Sequence, residues 1–392
     1  MARQTAQRAV PPKIPLFRPT IWRRQMHAVL ECLVSEEIGP GDVARNLVRE
    51  VASALRCAGG VALADYGAAL GAALRVVTAG DGSGRVLVPA LAPLAYVQAG
   101  ERLGLTPLLV DADPDTGSPS RESLQRLAAA EPQAAVACHG PGQPGVTDAQ
   151  QELGVPLVED VTAVVLGLDP AAAAGSGTAA GGSAQPADTK PALPVAGASG
   201  SVVVVALGGY GPLAAGGGAL VLARSRKDQQ LLAGEARDHG WGELPDVNAA
   251  LALAQWQERV SSHRRCTDLT ALFRDAVARC RHRTLVPEAL AGHQFPVLVA
   301  DGMRDVRRYA ARHQIETRLA CDGCALSRIV AGATDGATDG AAAAEVGDPT
   351  IAPADRLGGA QELARRSLLF PLYPTLSDGA ANRVAKVLAT LP

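Results

Sequence analysis

Short apolar strands alternate with helical segments between residues 60 and 160, and this alternation limits the fold more than any other feature of the chain. The predicted strands are residues 60–64, 84–89, 107–110, 134–138 and 155–158. A segment with helical spacing of apolar residues follows each of the first four strands. Such an order is typical of a parallel sheet that is covered by helices on both faces. The sequence therefore predicts an α/β fold.

Polar side chains end two of these predicted strands. His139 follows the fourth strand, and Asp160 ends the segment that begins with the fifth. Because ligands of such sheets bind beyond the carboxyl ends of the strands, both residues are candidates for a functional site. Each also has a structural interpretation. A histidine at a strand end can be hydrogen-bonded within the protein, and a carboxylate there can accept bonds from neighbouring backbone N–H groups.

Residues 202–222, VVVVALGGYGPLAAGGGALVL, predict two further strands joined by a glycine-rich turn. Four consecutive valines are typical of a buried strand, and the segment ALVLA forms the second strand. The turn between them begins with Gly208-Gly209-Tyr210-Gly211-Pro212.

The remaining segments predict an arm, a long helix and a second domain. We predict an N-terminal arm and helix over residues 1–40, a large domain over 41–247, a connecting helix over 248–285 and a small α+β domain over 286–392. Asp42 is the predicted N-cap of the helix that follows the arm. Residues 170–200 and 331–348 are rich in Ala, Gly and Ser or carry a GATDGATDG repeat. Such composition predicts flexible loops.

Charge and cysteine usage exclude several classes of function. The net charge is −2, which gives no reason to expect nucleic acid or an anionic membrane as a partner. No secretory signal and no bilayer-spanning apolar run is predicted. The seven cysteines are scattered, which favours a reduced, cytoplasmic protein. Cys321-Asp322-Gly323-Cys324 is interpreted as a pair of reduced thiols, because no second pair supplies the ligands of a zinc site. No metal is predicted.

Several motifs occur in an order that resembles one enzyme family. They are Asp111-Ala112-Asp113-Pro114-Asp115-Thr116-Gly117, Glu159-Asp160, Arg237-Asp238-His239-Gly240 and Phe370-Pro371-Leu372-Tyr373-Pro374. Together they resemble the DegT/DnrJ/StrS sugar aminotransferases, which are pyridoxal phosphate enzymes of fold type I. The resemblance implies an aspartate-aminotransferase-like fold, with a large domain around a mostly parallel sheet and a smaller C-terminal α+β domain. It also implies a dimer with its active sites between the subunits, and assigns Asp160 to the pyridine ring of the cofactor.

The chain departs from this family at the lysine that binds the cofactor. That lysine forms an imine with pyridoxal phosphate and moves the proton of the reaction. The resemblance places Tyr210 or Gly211 there, and neither can form an imine. The whole chain has only four lysines, which are Lys13, Lys190, Lys227 and Lys386.

Other cofactor contacts of the family are altered as well. The phosphate of the cofactor normally lies at a helix N-terminus, where hydroxyls and free N–H groups face the anion. Here this position reads Asp65-Tyr66-Gly67, which offers a carboxylate of the wrong charge. The residue that stacks on the ring is Pro93 instead of an aromatic residue. Of the central cofactor contacts, only Asp160 is kept, as a vestigial ring-binding residue.

These departures lead to one main hypothesis and two alternatives. The main hypothesis is a non-catalytic protein with a remodelled cleft and no cofactor, which acts in a sugar or secondary-metabolite pathway. It would act as a homodimer, as a heterodimer with an active relative, or as a binder of a small molecule. The first alternative is a pyridoxal phosphate or pyridoxamine phosphate aminotransferase acting on a nucleotide-linked keto-sugar. The second alternative is a different activity in the cleft that holds the cofactor in the family. The candidate cleft residues besides Asp160 are Asp65, Tyr66, Gly67, Pro93, His139, Gln143 and Tyr210.

Overall fold

A seven-stranded sheet forms the centre of the computed structural model, which describes residues 12–80, 82–140, 145, 148–168, 199–209, 211–286, 292–327 and 357–392. The strands are β1 (Gly59–Leu63), β2 (Arg85–Pro89), β3 (Thr106–Val110), β4 (Ala134–Cys138), β5 (Leu157–Asp160), β6 (Val202–Ala206) and β7 (Ala219–Ala223). Their spatial order is β1-β7-β6-β5-β4-β2-β3. The predicted α/β class, with a mostly parallel sheet, is confirmed.

The five strands from β6 to β3 in this order are parallel, whereas β7 is antiparallel to both of its neighbours. The predicted hairpin is present, with Val202 opposite Ala223 and Ala206 opposite Ala219. The valines of β6 are fully buried. At the turn, Gly218 has a φ of +83°, and a Cβ atom there would lie 2.5 Å from the carbonyl oxygen of Leu63. The close approach of β1 therefore requires glycine at this position.

Twelve helices and a second sheet complete the described part of the chain. The helices are α1 (Arg23–Val34), α2 (Asp42–Ala54), α3 (Tyr66–Val77), α4 (Leu94–Arg102), α5 (Arg121–Ala128), α6 (Asp148–Glu152), α7 (Arg226–Asp238), α8 (Asp246–Gln257), α9 (Arg259–Val277), α10 (Met303–Arg312), α11 (Gly358–Arg366) and α12 (Asp378–Leu388). A 3-10 helix spans Thr162–Gly167. The second sheet is antiparallel, in the order β8 (Phe295–Leu298), β10 (Ser367–Phe370), β9 (Arg318–Leu319).

Each sheet has a hydrophobic core of its own. The large sheet is covered on both faces, and its buried side chains are mainly Val, Leu and Ala. The small sheet packs with α9, α10 and α12 around Phe273 and Phe295, whose rings meet edge to face at 5.5 Å. These separate cores agree with two compact units, but the predicted domain boundaries stay a prediction. None of the described helices is both long enough and apolar enough to span a membrane.

Asp246 caps α2, although it lies about two hundred residues further along the chain. Its Oδ1 and Oδ2 atoms accept hydrogen bonds from the backbone N–H groups of Ala44 (2.9 Å) and Val43 (3.1 Å). The prediction that Asp42 caps this helix is therefore wrong. Asp42 is the first helical residue, and its exposed carboxylate pairs with Arg45. Instead, the carboxylate of Asp246, a residue of α8, accepts hydrogen bonds from the free N–H groups at the start of α2. Helix termini need such acceptors because their first N–H groups have no partner within the helix.

The predicted connecting helix is two helices rather than one. α8 ends at Gln257 and α9 begins at Arg259, with Glu258 between them at φ −97° and ψ 7°. The predicted strand at residues 316–320 is shorter, since only Arg318–Leu319 pair with β10. Of the predicted flexible loops, residues 170–198 and 331–348 lie outside the described residues.

Candidate functional site

A cavity of about 400 Å³ lies at the carboxyl ends of β4, β5 and β6, the edge of the sheet that the sequence indicates. The loop that follows β9 closes its other side. The polar and ionisable residues that line it are Tyr66, Cys138, His139, Asp160, Thr162, His293, Gln294, Cys321, Asp322 and Cys324. The structure thus brings the predicted residues Tyr66, Pro93, His139 and Asp160 together around one cavity, along with Gly211 of the hairpin turn.

Asp160 lies at the floor of the cavity and is only 5% exposed. Its Oδ2 atom accepts hydrogen bonds from the hydroxyls of Tyr66 (3.1 Å) and Tyr96 (3.0 Å). Its Oδ1 atom accepts one from the backbone N–H of Thr162 (2.9 Å). The structural interpretation of Asp160 predicted that its carboxylate accepts hydrogen bonds from backbone N–H groups. In the structure, two of the three donors are tyrosine hydroxyls and only one is a backbone N–H group. Both carboxylate oxygens are therefore already bonded within the protein.

Two tyrosines hold this carboxylate, and sequence reasoning missed one of them. Tyr96 is fully buried on α4, and its place on the apolar face of that helix gave no indication of a polar role. Burial, followed by the negative charge of Asp160, raises the pKa of both tyrosines well above its usual value. Tyr66 and Tyr96 therefore stay protonated as hydrogen-bond donors.

His139 is hydrogen-bonded on both sides of its ring. Its Nδ1 atom accepts from the backbone N–H of Gly145 (3.1 Å), so the proton is on Nε2, which donates to Oε1 of Glu159 (2.9 Å). The other oxygen of Glu159 accepts from the backbone N–H groups of Ser199 and Gly200. His139 borders the cavity, but its ring nitrogens are engaged with the protein.

The start of α3 is closed by its own cap. Oδ1 of the exposed Asp65 accepts a hydrogen bond from the backbone N–H of Ala68 at 2.7 Å. A Cβ atom at Gly67 would lie 3.1 Å from the same oxygen. The helix N-terminus that the resemblance assigns to a phosphate thus carries a carboxylate among its free N–H groups. A phosphate placed there would meet a like charge.

None of the described lysines reaches the cavity. Lys13 pairs with Glu316 at 3.3 Å, and Lys227 and Lys386 are exposed on α7 and α12. Gly208, Gly209 and Gly211 line the cavity at the hairpin turn. The structure does not describe the predicted residues Tyr210 and Gln143, nor the remaining lysine, Lys190.

His293 is a further residue of the cavity that the sequence did not single out. It is 6% exposed, and neither of its ring nitrogens has a hydrogen-bond partner among the described residues. Burial lowers the pKa of His293 to about 4, so the ring is neutral near pH 7. A neutral imidazole has one donor and one acceptor. The only indication of His293 in the sequence was its position just before the predicted strand that corresponds to β8. His293 thus contributes to the cavity wall a buried polar ring whose nitrogens have no partner among the described residues.

Comparison with known proteins places this fold in a family. Residues 19–389 match the DegT/DnrJ/EryC1/StrS aminotransferase family. The chain belongs to this family. The predicted family resemblance is confirmed over nearly the whole length.

Solved structures show the same fold at low sequence identity. The aminotransferase TlmJ from Streptoalloteichus hindustanus is 19% identical, with a TM-score of 0.74 over 96% of this chain and 98% of that chain. The putative sugar aminotransferase Spr1654 from Streptococcus pneumoniae, in its PMP-form, is 17% identical, with a TM-score of 0.74 over 97% of each chain. Helicobacter pylori PseC, an aminotransferase involved in the biosynthesis of pseudoaminic acid, is 13% identical, with a TM-score of 0.74 over 96% of this chain and 98% of that chain.

These comparisons contradict the prediction that the protein takes no cofactor. The family is one of aminotransferases, and the pneumococcal neighbour has been solved both in a PMP-form and in a PLP-form. The family thus points to a pyridoxal-type cofactor rather than to none. The error came from treating the loss of the covalent anchor as the loss of the cofactor.

The described residues nevertheless do not fit such a cofactor in its covalently bound form. No described lysine lines the cavity, and the start of α3 presents the carboxylate of Asp65 to a phosphate. The described lining contains the carboxylates of Asp160 and Asp322 but neither lysine nor arginine. One carboxylate oxygen of Asp160 accepts from two tyrosine hydroxyls, and the other accepts from a backbone N–H group. The described residues therefore support no reaction step through a covalently bound cofactor.

Proposed function

We propose that this sugar aminotransferase-like protein is non-catalytic and that its cavity above Asp160 holds a small molecule without a covalent bond. The observation that carries the proposal is the lining of the cavity, in which the described residues include no lysine. Transamination needs an amine that forms an imine and moves a proton. Any pyridoxal-type cofactor in this cavity would have to be held by contacts alone.

The polarity of the cavity supports an uncharged ligand with several hydroxyl groups, such as a sugar. The polar side chains of His293 and Gln294 lie beside each other in the lining. Asp160 and Asp322 add negative charge, and the described lining has no cationic side chain to balance it. A nucleotide-linked keto-sugar carries a diphosphate and would be repelled. The described lining therefore disfavours the aminotransferase alternative.

When pyridoxal phosphate is added to the purified protein, we expect no absorbance band of a protein-bound imine. Borohydride reduction should then attach no pyridoxyl group to any lysine, as measured by peptide mass spectrometry. The Lys190→Arg variant tests the one lysine outside the described residues, and Lys227→Arg on the surface of α7 is its matched control. An imine band that disappears in Lys190→Arg but not in Lys227→Arg would overturn the non-catalytic proposal and favour the aminotransferase.

The dimer that the resemblance implies is part of the same proposal, and α1 supports it. The N-cap residue Trp22 and the helical residues Met26, Leu30 and Leu33 form one apolar stripe along α1, and each is about half exposed. The side of α1 that carries Gln25 and Cys32 is buried against α8. An apolar stripe beside an already packed face is typical of a subunit interface. We propose that a second copy of this chain covers it.

The double variant Leu30→Glu/Leu33→Glu is expected to weaken this self-association by about a hundredfold or more. Loss of burial of two leucines costs about 3 kcal/mol per interface, which corresponds to this factor. Analytical ultracentrifugation over a concentration series measures it, and Glu31→Gln on another side of α1 is the control. A wild-type protein that is monomeric at every concentration would exclude the homodimer. Mixing it with an active relative would then test the heterodimer.

We place the protein in the cytoplasm as part of this proposal. All seven cysteines are free, and a reducing compartment keeps thiols in that state.

A further inference from the structure

Residues 321–324 form a tight turn that brings two cysteines together. The backbone N–H of Cys324 donates a hydrogen bond to the carbonyl oxygen of Cys321 at 3.2 Å, which closes a four-residue turn. Gly323, the third residue, has a φ of +76°, as a type II turn requires. The α-carbons at the ends of such a turn lie within about 7 Å, close to the range that a disulfide spans. A backbone bridge between Pro93 and Cys324 fixes the position of this turn against the start of α4.

This turn is part of the cavity wall and is attached to the large domain. Both cysteines line the cavity that Asp160 and His293 also line. The backbone N–H of Leu94 donates to the carbonyl of Gly323 (3.0 Å), and that of Ala325 donates to the carbonyl of Ala92 (2.8 Å). These bonds hold the cysteine pair beside Pro93, where the resemblance places the residue that stacks on the cofactor. The pair is thus positioned in the cleft rather than on an outer surface.

The surroundings of the two thiols distinguish them from each other. The hydrogen bond from Cys321, together with the backbone N–H groups of Leu326 and Ser327, lowers the pKa of Cys324 below its usual value of 9.0. The same hydrogen bond raises the pKa of Cys321. Cys138 lines the same cavity, but burial and the charge of Asp160 raise its pKa well above the usual value. Of the three cysteines that line the described part of the cavity, Cys324 is therefore the one whose pKa is lowered, and the thiolate is the reactive form of cysteine.

We propose that Cys321 and Cys324 form a redox-active dithiol that reacts with small uncharged disulfides entering the cavity. The thiol chemistry itself needs neither the proposed ligand nor a cofactor, although both thiols line the cavity proposed for that ligand. The two carboxylates of the lining disfavour anionic disulfides, which is why the class is uncharged.

The reaction proceeds by two thiol–disulfide exchanges. The Cys324 thiolate attacks one sulfur of RSSR, which forms a mixed disulfide on Cys324 and releases RS⁻. Cys321 then loses its proton and attacks the Sγ atom of Cys324, which forms the Cys321–Cys324 disulfide and releases the second RS⁻. The negative charge that kept Cys321 protonated is absent from the mixed disulfide, so this second step becomes easier. The disulfide RSSR is reduced to two RSH, and the protein dithiol is oxidised by loss of two hydrogens.

The test exposes the full-length protein to 2-hydroxyethyl disulfide and maps the products by mass spectrometry. We expect the wild type to lose two hydrogens and to contain a Cys321–Cys324 disulfide. The Cys321→Ser variant should stop at the mixed disulfide on Cys324, whereas Cys324→Ser should form neither product. Cys138→Ser, in the same cavity, is the matched control and should react like the wild type. A wild type that keeps both thiols free, or a Cys324→Ser variant that still forms adducts on Cys321 at the wild-type rate, would overturn the proposal.

A second measurement on the unmutated protein does not depend on the folding of any variant. Iodoacetamide near pH 7 is expected to modify Cys324 at least about ten times faster than Cys138, because the pKa of Cys324 lies below 9.0 and that of Cys138 well above it, and each unit of pKa changes the thiolate fraction about tenfold. The rate at Cys324 should reach half of its maximum below pH 9.0, the usual pKa of a cysteine. Equal rates at Cys324 and Cys138 would contradict the dithiol proposal.

Discussion

Lowering the pH from 7 to 4 is expected to reduce the unfolding free energy of the wild-type protein by about 3 kcal/mol more than that of the His293→Phe variant. In the folded protein, burial lowers the pKa of His293 from 6.5 to about 4. The unfolded chain therefore binds a proton on this residue between pH 6.5 and 4, whereas the folded protein does not. The stability contributed by the neutral ring is complete above pH 6.5 and is lost as the pH falls towards 4.

Urea unfolding at several pH values measures this effect. Phenylalanine keeps a ring next to Phe17, whose centroid lies 5.3 Å from that of His293. The comparison with the wild type is necessary because other groups titrate in the same range. His313→Gln, at an exposed position, is the control and should follow the wild-type pH profile. Parallel profiles for the wild type and His293→Phe would contradict the buried, neutral state of this ring.

The Asp246→Ala variant is expected to lose about 3 kcal/mol of unfolding free energy near pH 7. Asp246 is 3% exposed, and its carboxylate accepts two backbone hydrogen bonds at the start of α2. Each hydrogen bond to a charged group contributes about 1.5–3 kcal/mol, and the helix dipole adds to the favourable interaction. Removal of the carboxylate leaves buried N–H groups without an acceptor. The change should be measured as a shift of the urea midpoint.

Two matched variants separate this cap from local effects. Asp42→Ala removes the residue that the sequence indicates as the cap, and it should change the stability by less than about 0.5 kcal/mol because its carboxylate is exposed. Asp246→Asn keeps one acceptor oxygen and should fall between the wild type and Asp246→Ala. A larger loss in Asp42→Ala than in Asp246→Ala would show that α2 is capped locally after all.

The candidate site was predictable only where it follows from the order of the strands. Asp160 and His139 directly follow predicted strands, and parallel strands place their carboxyl ends at one edge, which is where the structure has both residues. The partners of Asp160 were not predictable to the same extent. Tyr96 lies on a helix with apolar neighbours, and nothing in the sequence relates its hydroxyl to a carboxylate on another element. The cysteine pair was recognised as a motif, but its place in the cavity depends on backbone bonds to residues 92–94.

The sequence by itself determined the α/β class, the hairpin at residues 202–222 and the family, because these depend on the periodicity and order of residues near each other in the chain. Only the tertiary structure decided that Asp246 rather than Asp42 caps α2, that Tyr96 bonds Asp160, and that His293 and Cys324 face the same cavity. The physical reason is that each of these contacts joins elements far apart in sequence. A side chain's partners, burial and pKa then depend on how the elements pack, which local patterns do not encode.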